Sequence, residues 1–213
     1  ERARARASDL AHGLKTPLAV LGTVSDQLRT RKDAETADLI EDLVVEMQER
    51  IDYQLRLSRL RQRKRGEVLS TRLDEVLARI VAVIRRTAGG ERLDWQVDYG
   101  ESLHVDIDRN DLVELLGILL ENASEWAASR VRIRCSREGD AARLIIEDDG
   151  GTLSAADLDA IGSTDMRLDQ RPHGNGLGLG IAREIVALNG GELEFGLAIG
   201  NGLQVSTLLP LSR

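Results

Sequence analysis

The sequence has few residues of the kinds that cross-link small folds or form aromatic cores. Its 213 residues include one cysteine, three prolines and only 2% aromatic side chains. A single thiol, Cys135, excludes an internal disulfide and a zinc site built from several cysteines. It lies in the alternating segment Val131–Cys135, where we expect a reduced thiol in the core of a protein from a reducing compartment. Leucine, isoleucine, valine and alanine must therefore fill the core.

Membrane spans and basic surfaces are also missing from the sequence. No apolar run approaches the ~20 residues that cross a bilayer, and no signal peptide is visible. The formal net charge of −7 argues against nucleic-acid binding, which usually needs a basic face. An acidic chain can still bind phosphate through local backbone amides. The sequence opens on the charged stretch Glu1–Arg6, so we expect missing segments upstream, and membrane contact only through them.

The first 62 residues carry the pattern of two amphipathic helices separated by the polar segment Thr30–Asp33. One apolar stripe consists of Leu10, Leu14, Leu18, Leu21, Val24 and Leu28, and the second of Leu39, Leu43, Met47, Ile51 and Leu55. A lone helical hairpin buries such stripes poorly, whereas two copies can bury them in a four-helix bundle, which predicts a homodimer. Packing of the hairpin on the rest of its own chain is the alternative.

The sequence predicts two domains and an α+β class. We predict a dimerising helical hairpin over residues 1–62, a basic linker over 63–70 and a second domain over 71–213. In the second domain, periodicity predicts helices at Leu73–Arg86, Asp111–Ala128 and Leu177–Leu188, and strands at Trp95–Tyr99, Leu103–Ile107, Val131–Cys135, Arg143–Glu147, Glu192–Phe195 and Leu203–Leu209. This mixture predicts an α/β sandwich with helices on one face of a mixed sheet.

A glycine-rich loop is the first candidate for a ligand site. Its residues are Gly174, Asn175, Gly176, Leu177, Gly178, Leu179 and Gly180, and a helix follows directly. Alternate glycines let backbone N–H groups approach a ligand, and the helix adds its positive N-terminal end, so the site suits a polyphosphate. In a dinucleotide fold the glycines would follow the first strand, which they do not do here. A flexible surface loop would not explain leucine alternating with glycine.

Two polar residues on apolar elements accompany the loop. Asp148 follows the apolar strand residues, and its carboxylate can accept a hydrogen bond from the exocyclic amine of adenine, where guanine offers an oxygen. Gly150 is expected to clear space for the base plane. Asn122, on an apolar helix, can bind Mg²⁺ or a phosphate through its amide. Each element alone has a simpler interpretation. Asp148-Asp149-Gly150 would be an ordinary turn, and the Asn122 side chain would form a hydrogen bond with neighbouring backbone.

Together and in this order, the three elements resemble the GHKL ATPase superfamily of histidine kinases, Hsp90-type chaperones, type II topoisomerases and MutL. The resemblance covers roughly residues 70–213 and implies a Bergerat-type α/β sandwich that binds ATP and Mg²⁺ beneath a mobile lid. Gly200-Asn201-Gly202, before Leu203–Pro210, resembles the closing hairpin of that family.

Ahead of this domain, His12-Gly13-Leu14-Lys15-Thr16-Pro17-Leu18 resembles the H box of histidine kinases. The resemblance implies that His12 is the phosphoacceptor of a two-component sensor kinase and passes phosphate to an Asp of a response-regulator receiver domain. Asp9, His12 and Thr16 share one helix face, and Pro17 should bend the helix because it crowds the Gly13 carbonyl. A lone helical histidine is otherwise usually structural.

Further segments resemble the PhoQ-type sensor kinases, namely His12–Leu21, Ile51–Leu55 and Arg167–Pro172. That resemblance implies that Arg167 and Arg171 are lid cations near the phosphates and that Asn175 is a second Mg²⁺ ligand beside Asn122. It also implies that Thr16 orients a water molecule when the enzyme acts as a phosphatase on its response regulator. It also implies that this chain is the cytoplasmic core of a protein anchored in the inner membrane.

The sequence departs from that family at several positions. Gly13 stands where most such kinases carry an acid beside the histidine, and we expect Asp9 to replace it, unless Asp9 is an ordinary exposed carboxylate. Ile118, Glu125 and Thr152 are also atypical. One competing function is a degenerate dimeric phosphotransfer or docking protein with weak or no ATP binding. An ATPase that drives conformational change is disfavoured, because it needs a carboxylate where this chain has Ile118.

Overall fold

The computed structural model describes residues 17–21, 23–30, 33–61, 69–151, 153–154, 158, 161, 177–200 and 202–212, with the side chains of 46, 49–50, 52–61 and 177 excepted. The chain divides into two compact units, Glu1–Lys64 and Arg65–Arg213, and each is considered by itself. Several predicted site residues lie outside the described residues: Asp9, His12, Lys15, Thr16, Arg167, Arg171, Gly174, Asn175 and Gly176.

The first unit is helical in its described part. Residues 17–21 and 23–30 belong to helix α1, and Ala34–Arg61 form helix α2. Ser25 Oγ donates a hydrogen bond of 2.8 Å to the Ala37 carbonyl, and Arg29 pairs with Asp38 and Glu41 on the second helix. The ion pairs are exposed and stabilise little, so the buried hydroxyl and the apolar contacts hold the helices together.

Only part of the predicted apolar stripe is buried within one copy of the chain. Leu18 is buried, whereas Leu39 is 60% exposed and Leu43 is 48% exposed. Leu21, which was expected in the buried stripe, is 40% exposed. Leu39 and Leu43 are one helical turn apart, so they expose apolar surface on the same face of α2. The homodimeric bundle stays a prediction, because a single copy is described.

The second unit has four described helices and seven described strands. The helices are α3 (Leu73–Ile84), α4 (Ala88–Glu91), α5 (Arg109–Trp126) and α6 (Leu177–Leu188). The strands are β1 (Thr71–Arg72), β2 (Asp94–Asp98), β3 (His104–Val105), β4 (Arg130–Glu138), β5 (Ala141–Asp148), β6 (Glu192–Leu197) and β7 (Leu203–Pro210). A five-stranded sheet has the order β2-β4-β5-β7-β6, with only β2 and β4 parallel, and β1 pairs with β3. The predicted α/β sandwich is confirmed.

The core lies between one face of this sheet and helix α5. Along β5 the buried side chains alternate, so Ala142, Leu144 and Ile146 share one face. Helix α5 begins after Asp108, whose carboxylate accepts a hydrogen bond from the Asn110 N–H at 2.8 Å. Its leucines recur at three- and four-residue steps, and those at 112, 115, 116, 119 and 120 are fully buried. Helix α5 is therefore the central layer against which α3, α6 and β5 pack.

Several predicted boundaries were off by a few residues, and two of them were wrong for local reasons that the hydrogen bonds explain. The strand expected at Leu103–Ile107 is reduced to β3, because the Leu103 carbonyl accepts from the Leu73 N–H and the Asp106 N–H donates to Pro210. The helix expected to reach Arg86 ends at Ile84. There Thr87 Oγ1 donates to the Ile84 carbonyl and accepts from the Gly90 N–H, which starts the unpredicted helix α4.

Cys135 lies buried in β4, as expected for a core thiol. Burial raises the pKa of this thiol to about 11, and the negative charges of Asp74, Asp98 and Glu101 act in the same direction. The thiol is therefore protonated and poorly reactive at neutral pH. Among the helices in the described ranges, none is long and apolar enough to cross a bilayer.

Candidate nucleotide-binding site

The last residue of β5, Asp148, holds a buried carboxylate at the end of the sheet. Strand alternation puts it on the same face as Leu144 and Ile146, the face that packs on α5. Its Oδ1 accepts hydrogen bonds from the Gly150 N–H at 2.9 Å and the Leu203 N–H at 3.2 Å. Both of these bonds end on Oδ1, which leaves Oδ2 as the atom that can accept from a ligand.

The environment of Asp148 disfavours its charged form. Burial raises the pKa of Asp148, and the hydrogen bonds from Gly150 and Leu203 offset that effect only in part, while the charge of Asp149 adds to the rise. A donor that approached Oδ2 would stabilise the ionised carboxylate. The site therefore favours a ligand that presents an N–H group at this point.

Three consecutive acids at the end of β5 have three different surroundings. Glu147 lies on the opposite face of the sheet, where its Oε2 is 3.2 Å from Arg134 and 3.8 Å from Arg132. Neither arginine meets this buried oxygen with hydrogen-bond geometry, so the interaction is one of charge rather than of directed bonds. Asp148 faces the helices, and Asp149 is bonded to a neighbouring segment. Only Asp148 is thus available to a ligand on the helical face.

Asp149 accepts hydrogen bonds from two residues that precede and begin β4. Its Oδ1 accepts from the N–H groups of Ser129 and Arg130 at 2.9 Å each, and its Oδ2 accepts from Ser129 Oγ at 2.5 Å. Partial burial by itself raises the pKa of Asp149, but the hydrogen bonds from Ser129 and Arg130 outweigh it and lower the pKa to about 2. The carboxylate therefore stays ionised, and stays bonded, at every physiological pH.

Two glycines allow the backbone to close around Asp148. A Cβ on Gly150 would lie 1.6 Å from the carbonyl oxygen of Trp126, and one on Gly202 would lie 2.1 Å from the carbonyl oxygen of Asp148. The sequence argument gave Gly150 the task of clearing space for a base. The structure shows a further need for glycine here, because the loop packs against the end of α5, and the space for a base stays a prediction.

Helix α5 connects this region to the glycine-rich helix. Ile118, Asn122 and Trp126 are one turn apart and share a face. At one end, a Cβ on Gly178 would lie 3.2 Å from Ile118 Cγ2, and at the other end Trp126 packs on Gly150. Asn122 lies between them and is half-buried. The two ends are about 12 Å apart along the helix, a span suited to a base at one end and phosphates at the other.

Helix α6 begins at Leu177, and its first turn includes Gly178 and Leu179. The first N–H groups of a helix have no acceptor within the helix and carry partial positive charge, which favours an anion. The Leu179 side chain is buried in the core, so this predicted ligand residue can contribute only through its backbone N–H.

The structure also identifies residues that the sequence argument missed. Trp126 is 44% exposed, although its backbone packs on Gly150. Its four-residue spacing from Asn122, in a chain so poor in aromatics, is the signal that could have identified it. Ser129, Asp149 and the Leu203 N–H were missed because their contacts join distant segments. Within the described ranges, no group of three or more histidine, cysteine or acidic side chains could hold a metal ion.

Comparison with known proteins identifies the family. Residues 107–213 match the family of histidine kinase-, DNA gyrase B-, and HSP90-like ATPases. The chain belongs to this family. The matched part contains Asn122, the Asp148–Gly150 turn and the glycine-rich helix, so the superfamily resemblance is confirmed.

Sensor kinases are among the similar proteins. Sensor protein kinase CarS of Pseudomonas aeruginosa is 34% identical over 217 residues, which cover 100% of this chain and 47% of CarS. Two-component sensor PhoQ of the same organism is 36% identical over 199 residues, 91% of this chain and 43% of PhoQ. The resemblance to PhoQ-type kinases is confirmed, and the chain spans less than half the length of these relatives. Full-length ShkA, solved in complex with AMPPNP, shares the fold at a TM-score of 0.68 and 18% identity, over 98% of this chain and 46% of ShkA.

Proposed function

We propose that this chain is the ATP-binding and autophosphorylating core of a two-component sensor histidine kinase. The observation that carries the proposal is the buried carboxylate of Asp148, whose Oδ1 accepts both of its hydrogen bonds from the described residues and whose Oδ2 accepts none from them. Family membership and the similarity to CarS and PhoQ support the same assignment.

The base of ATP occupies the Asp148 end of the site. Its exocyclic amine donates to Asp148 Oδ2, whereas the corresponding oxygen of guanine would face the carboxylate and be repelled. Trp126 is 44% exposed and its backbone carbonyl lies against Gly150, so its ring is the aromatic group that we assign to stack on the purine. The closed backbone at Gly150 and Gly202 keeps these groups at a fixed distance.

The phosphates occupy the N-terminal end of α6. The N–H groups of Gly178 and Leu179 meet the anion there, and Gly174, Gly176 and Leu177 extend the loop. Arg167 and Arg171 add lid cations, and Asn122 and Asn175 provide amide oxygens for Mg²⁺. Magnesium usually takes few protein ligands and keeps phosphate and water oxygens. The half-buried Asn122 therefore fits it, although the described residues contain no cluster of acids that could bind a metal ion. When bound, the ion neutralises charge on the phosphates.

His12 then receives the γ-phosphoryl group. One nitrogen of the neutral imidazole forms the bond to phosphorus as the bond to the bridging oxygen of ADP breaks, and the proton on the other nitrogen goes to an acceptor. We assign Asp9 as that acceptor, since Gly13 cannot serve, and Lys15 completes the basic position of the motif. The phosphoryl group passes to an Asp of a response-regulator receiver domain, and Thr16 orients water for the reverse, phosphatase role.

Assembly and location follow from the same proposal. The exposed apolar row of α1 and α2 is covered by a second copy, which gives a homodimer built on a four-helix bundle. We also propose domain limits of 1–62, 63–70 and 71–213, with the kinase core on the cytoplasmic side of an inner membrane. No nucleic-acid partner is proposed.

Binding of ATP with Mg²⁺, followed by calorimetry and tryptophan fluorescence, tests the nucleotide site. We expect saturable binding of ATP, much weaker binding of GTP, and a change in emission as Trp126 meets the base. In Trp126→Phe the emission change should disappear while binding heat remains detectable, since Trp95 is buried and bonded to the Gly90 carbonyl. The degenerate docking protein would instead bind no nucleotide.

A specific contact weighs against the hydrolytic alternative. Ile118, one turn before Asn122, lies against Gly178 at the start of α6. An ATPase that activates water needs a carboxylate at this position, and an isoleucine can neither orient nor deprotonate water. We therefore expect γ-phosphate to appear on the protein before free phosphate is released in solution.

A further inference from the structure

Discrimination between purines requires that Asp148 hold its free oxygen in one place. Beyond Asp148, which pairs with Val131, the ladder between β4 and β5 ends. The next residues turn away, with Gly151 in the left-handed region at a φ of 73°. The hydrogen bonds of the sheet therefore fix the chain up to Asp148. Other contacts must fix the turn that follows it.

Asp149 supplies those contacts. Its carboxylate accepts three hydrogen bonds from Ser129 and Arg130, in the segment that links the end of α5 to β4. The neighbouring Gly150 packs against the Trp126 carbonyl at the end of the same helix, and its N–H donates to Asp148 Oδ1. The turn is thus tied to the helix that carries Asn122 and Trp126.

We propose that Asp149 is a positioning residue that sets the purine specificity of this site. By clamping the turn to Ser129 and Arg130, it holds the Gly150 N–H against Asp148 Oδ1 and so keeps Oδ2 directed at the exocyclic amine of adenine. Without the clamp, the turn relaxes and Asp148 loses its fixed direction. This inference rests on the proposed binding of adenine by Asp148.

The number and type of bonds separate this clamp from an ordinary turn. Two donors are backbone N–H groups and the third is a hydroxyl, so an amide side chain at 149 could accept from both N–H groups and donate to Ser129 Oγ. The depressed pKa of Asp149 means that the clamp is intact throughout neutral and mildly acidic solution. Since an amide can make the same three bonds, we expect the geometry at position 149 to matter more than the charge.

The test compares the affinities of ATP and inosine triphosphate, which carries an oxygen in place of the exocyclic amine. A hydrogen bond to a charged group contributes enough for about a tenfold to hundredfold preference for ATP in the unaltered chain. In Asp149→Ala we expect ATP affinity to fall about tenfold while that of inosine triphosphate changes little, so that the preference is largely lost. Asp149→Asn should restore it.

Asp98→Ala is the matched control, because Asp98 also accepts a hydrogen bond from a turn, at the Gly100 N–H, but on a different strand. It should leave the preference unchanged. If Asp149→Ala fails to fold, Ser129→Ala, which removes only the hydroxyl donor, should lower the preference by a smaller factor. Equal loss of both affinities in these variants would overturn the inference and leave Asp149 a structural residue. An unaltered chain that binds the two nucleotides equally would overturn the role of Asp148 itself.

Discussion

Replacing Asp148 with asparagine is expected to abolish ATP binding and to stabilise the unliganded second unit at neutral pH. The amide oxygen can take over the two hydrogen bonds that Oδ1 accepts from Gly150 and Leu203. Its NH₂ group then occupies the position of Oδ2 and faces the adenine amine, donor against donor. A site built around a hydrogen bond rejects a mismatched partner strongly, so affinity should fall by at least about a hundredfold. Calorimetric titration with ATP and Mg²⁺ measures the loss.

The stabilising half of this prediction depends on pH. The folded pKa of Asp148 is raised above its unfolded value, mainly by burial. The corresponding stability is fully present below the unfolded pKa, about 3.9, and is lost as pH rises through the folded pKa. Asparagine does not ionise. The unfolding free energy of Asp148→Asn, relative to that of the unaltered chain, should therefore rise with pH and reach a plateau above the folded pKa of Asp148. At neutral pH we expect the unfolding free energy of Asp148→Asn to exceed that of the unaltered chain by about 1 kcal/mol.

Urea denaturation of the two proteins between acidic and neutral pH checks this result. Asp98→Asn serves as the control, since Asp98 has an exposed side chain and lies on β2, two strands away from β5 in the sheet. A difference between Asp148→Asn and the unaltered chain that did not change with pH would contradict the assigned cause, which is burial of a charge.

Alanine at Gly150 is expected to destabilise the second unit severely, whereas alanine at Gly117 should stabilise it. The new Cβ at 150 would lie 1.6 Å from the Trp126 carbonyl oxygen, and backbone cannot yield as a flexible side chain can. Overpacking of this kind should lower the unfolding free energy by about 3 kcal/mol or more. ATP binding should be lost with it, because the turn carries Asp148.

Gly117 is the matched control, because both changes add one methyl group to a glycine and affect the unfolded chain alike. It lies within α5, and a Cβ there would meet no atom within 4 Å. Alanine is the better helix former, by roughly 0.5–1 kcal/mol, so Gly117→Ala should raise the urea midpoint. Equal midpoints for the two variants would contradict the close contact between Gly150 and Trp126.

Periodicity predicts much of this fold because packing imposes it. The alternation of Leu144 and Ile146 and the leucine spacing of α5 each match the geometry of an element with one buried face. The short helix α4 could not be predicted in this way. Its sequence Ala88-Gly89-Gly90-Glu91 has low helix propensity, and the helix exists because Thr87 caps it and Gly90 fits against the Ile84 carbonyl.

Some residues of the candidate site could likewise be predicted from the sequence, and others could not. Asp148 and Asn122 could be selected from the sequence, since each is a polar residue on an apolar element. The hydrogen bonds of Asp149 could not be predicted, because its partners Ser129 and Arg130 are 20 and 19 residues away and meet it only through the register of β4 and β5. The contact of Gly150 with the Trp126 carbonyl could not be predicted either, since Trp126 lies on another element.

Transfer of labelled γ-phosphate from ATP to the chain in the presence of Mg²⁺ tests the central claim most directly. The account predicts an acid-labile label on the protein that is absent from His12→Ala, although that variant still binds ATP. Asp148→Asn should also remain unlabelled, in this case because it no longer binds the nucleotide, and Asp98→Ala should be labelled normally. A label that persists in His12→Ala, or an unaltered chain that binds ATP and is never labelled, would contradict the account.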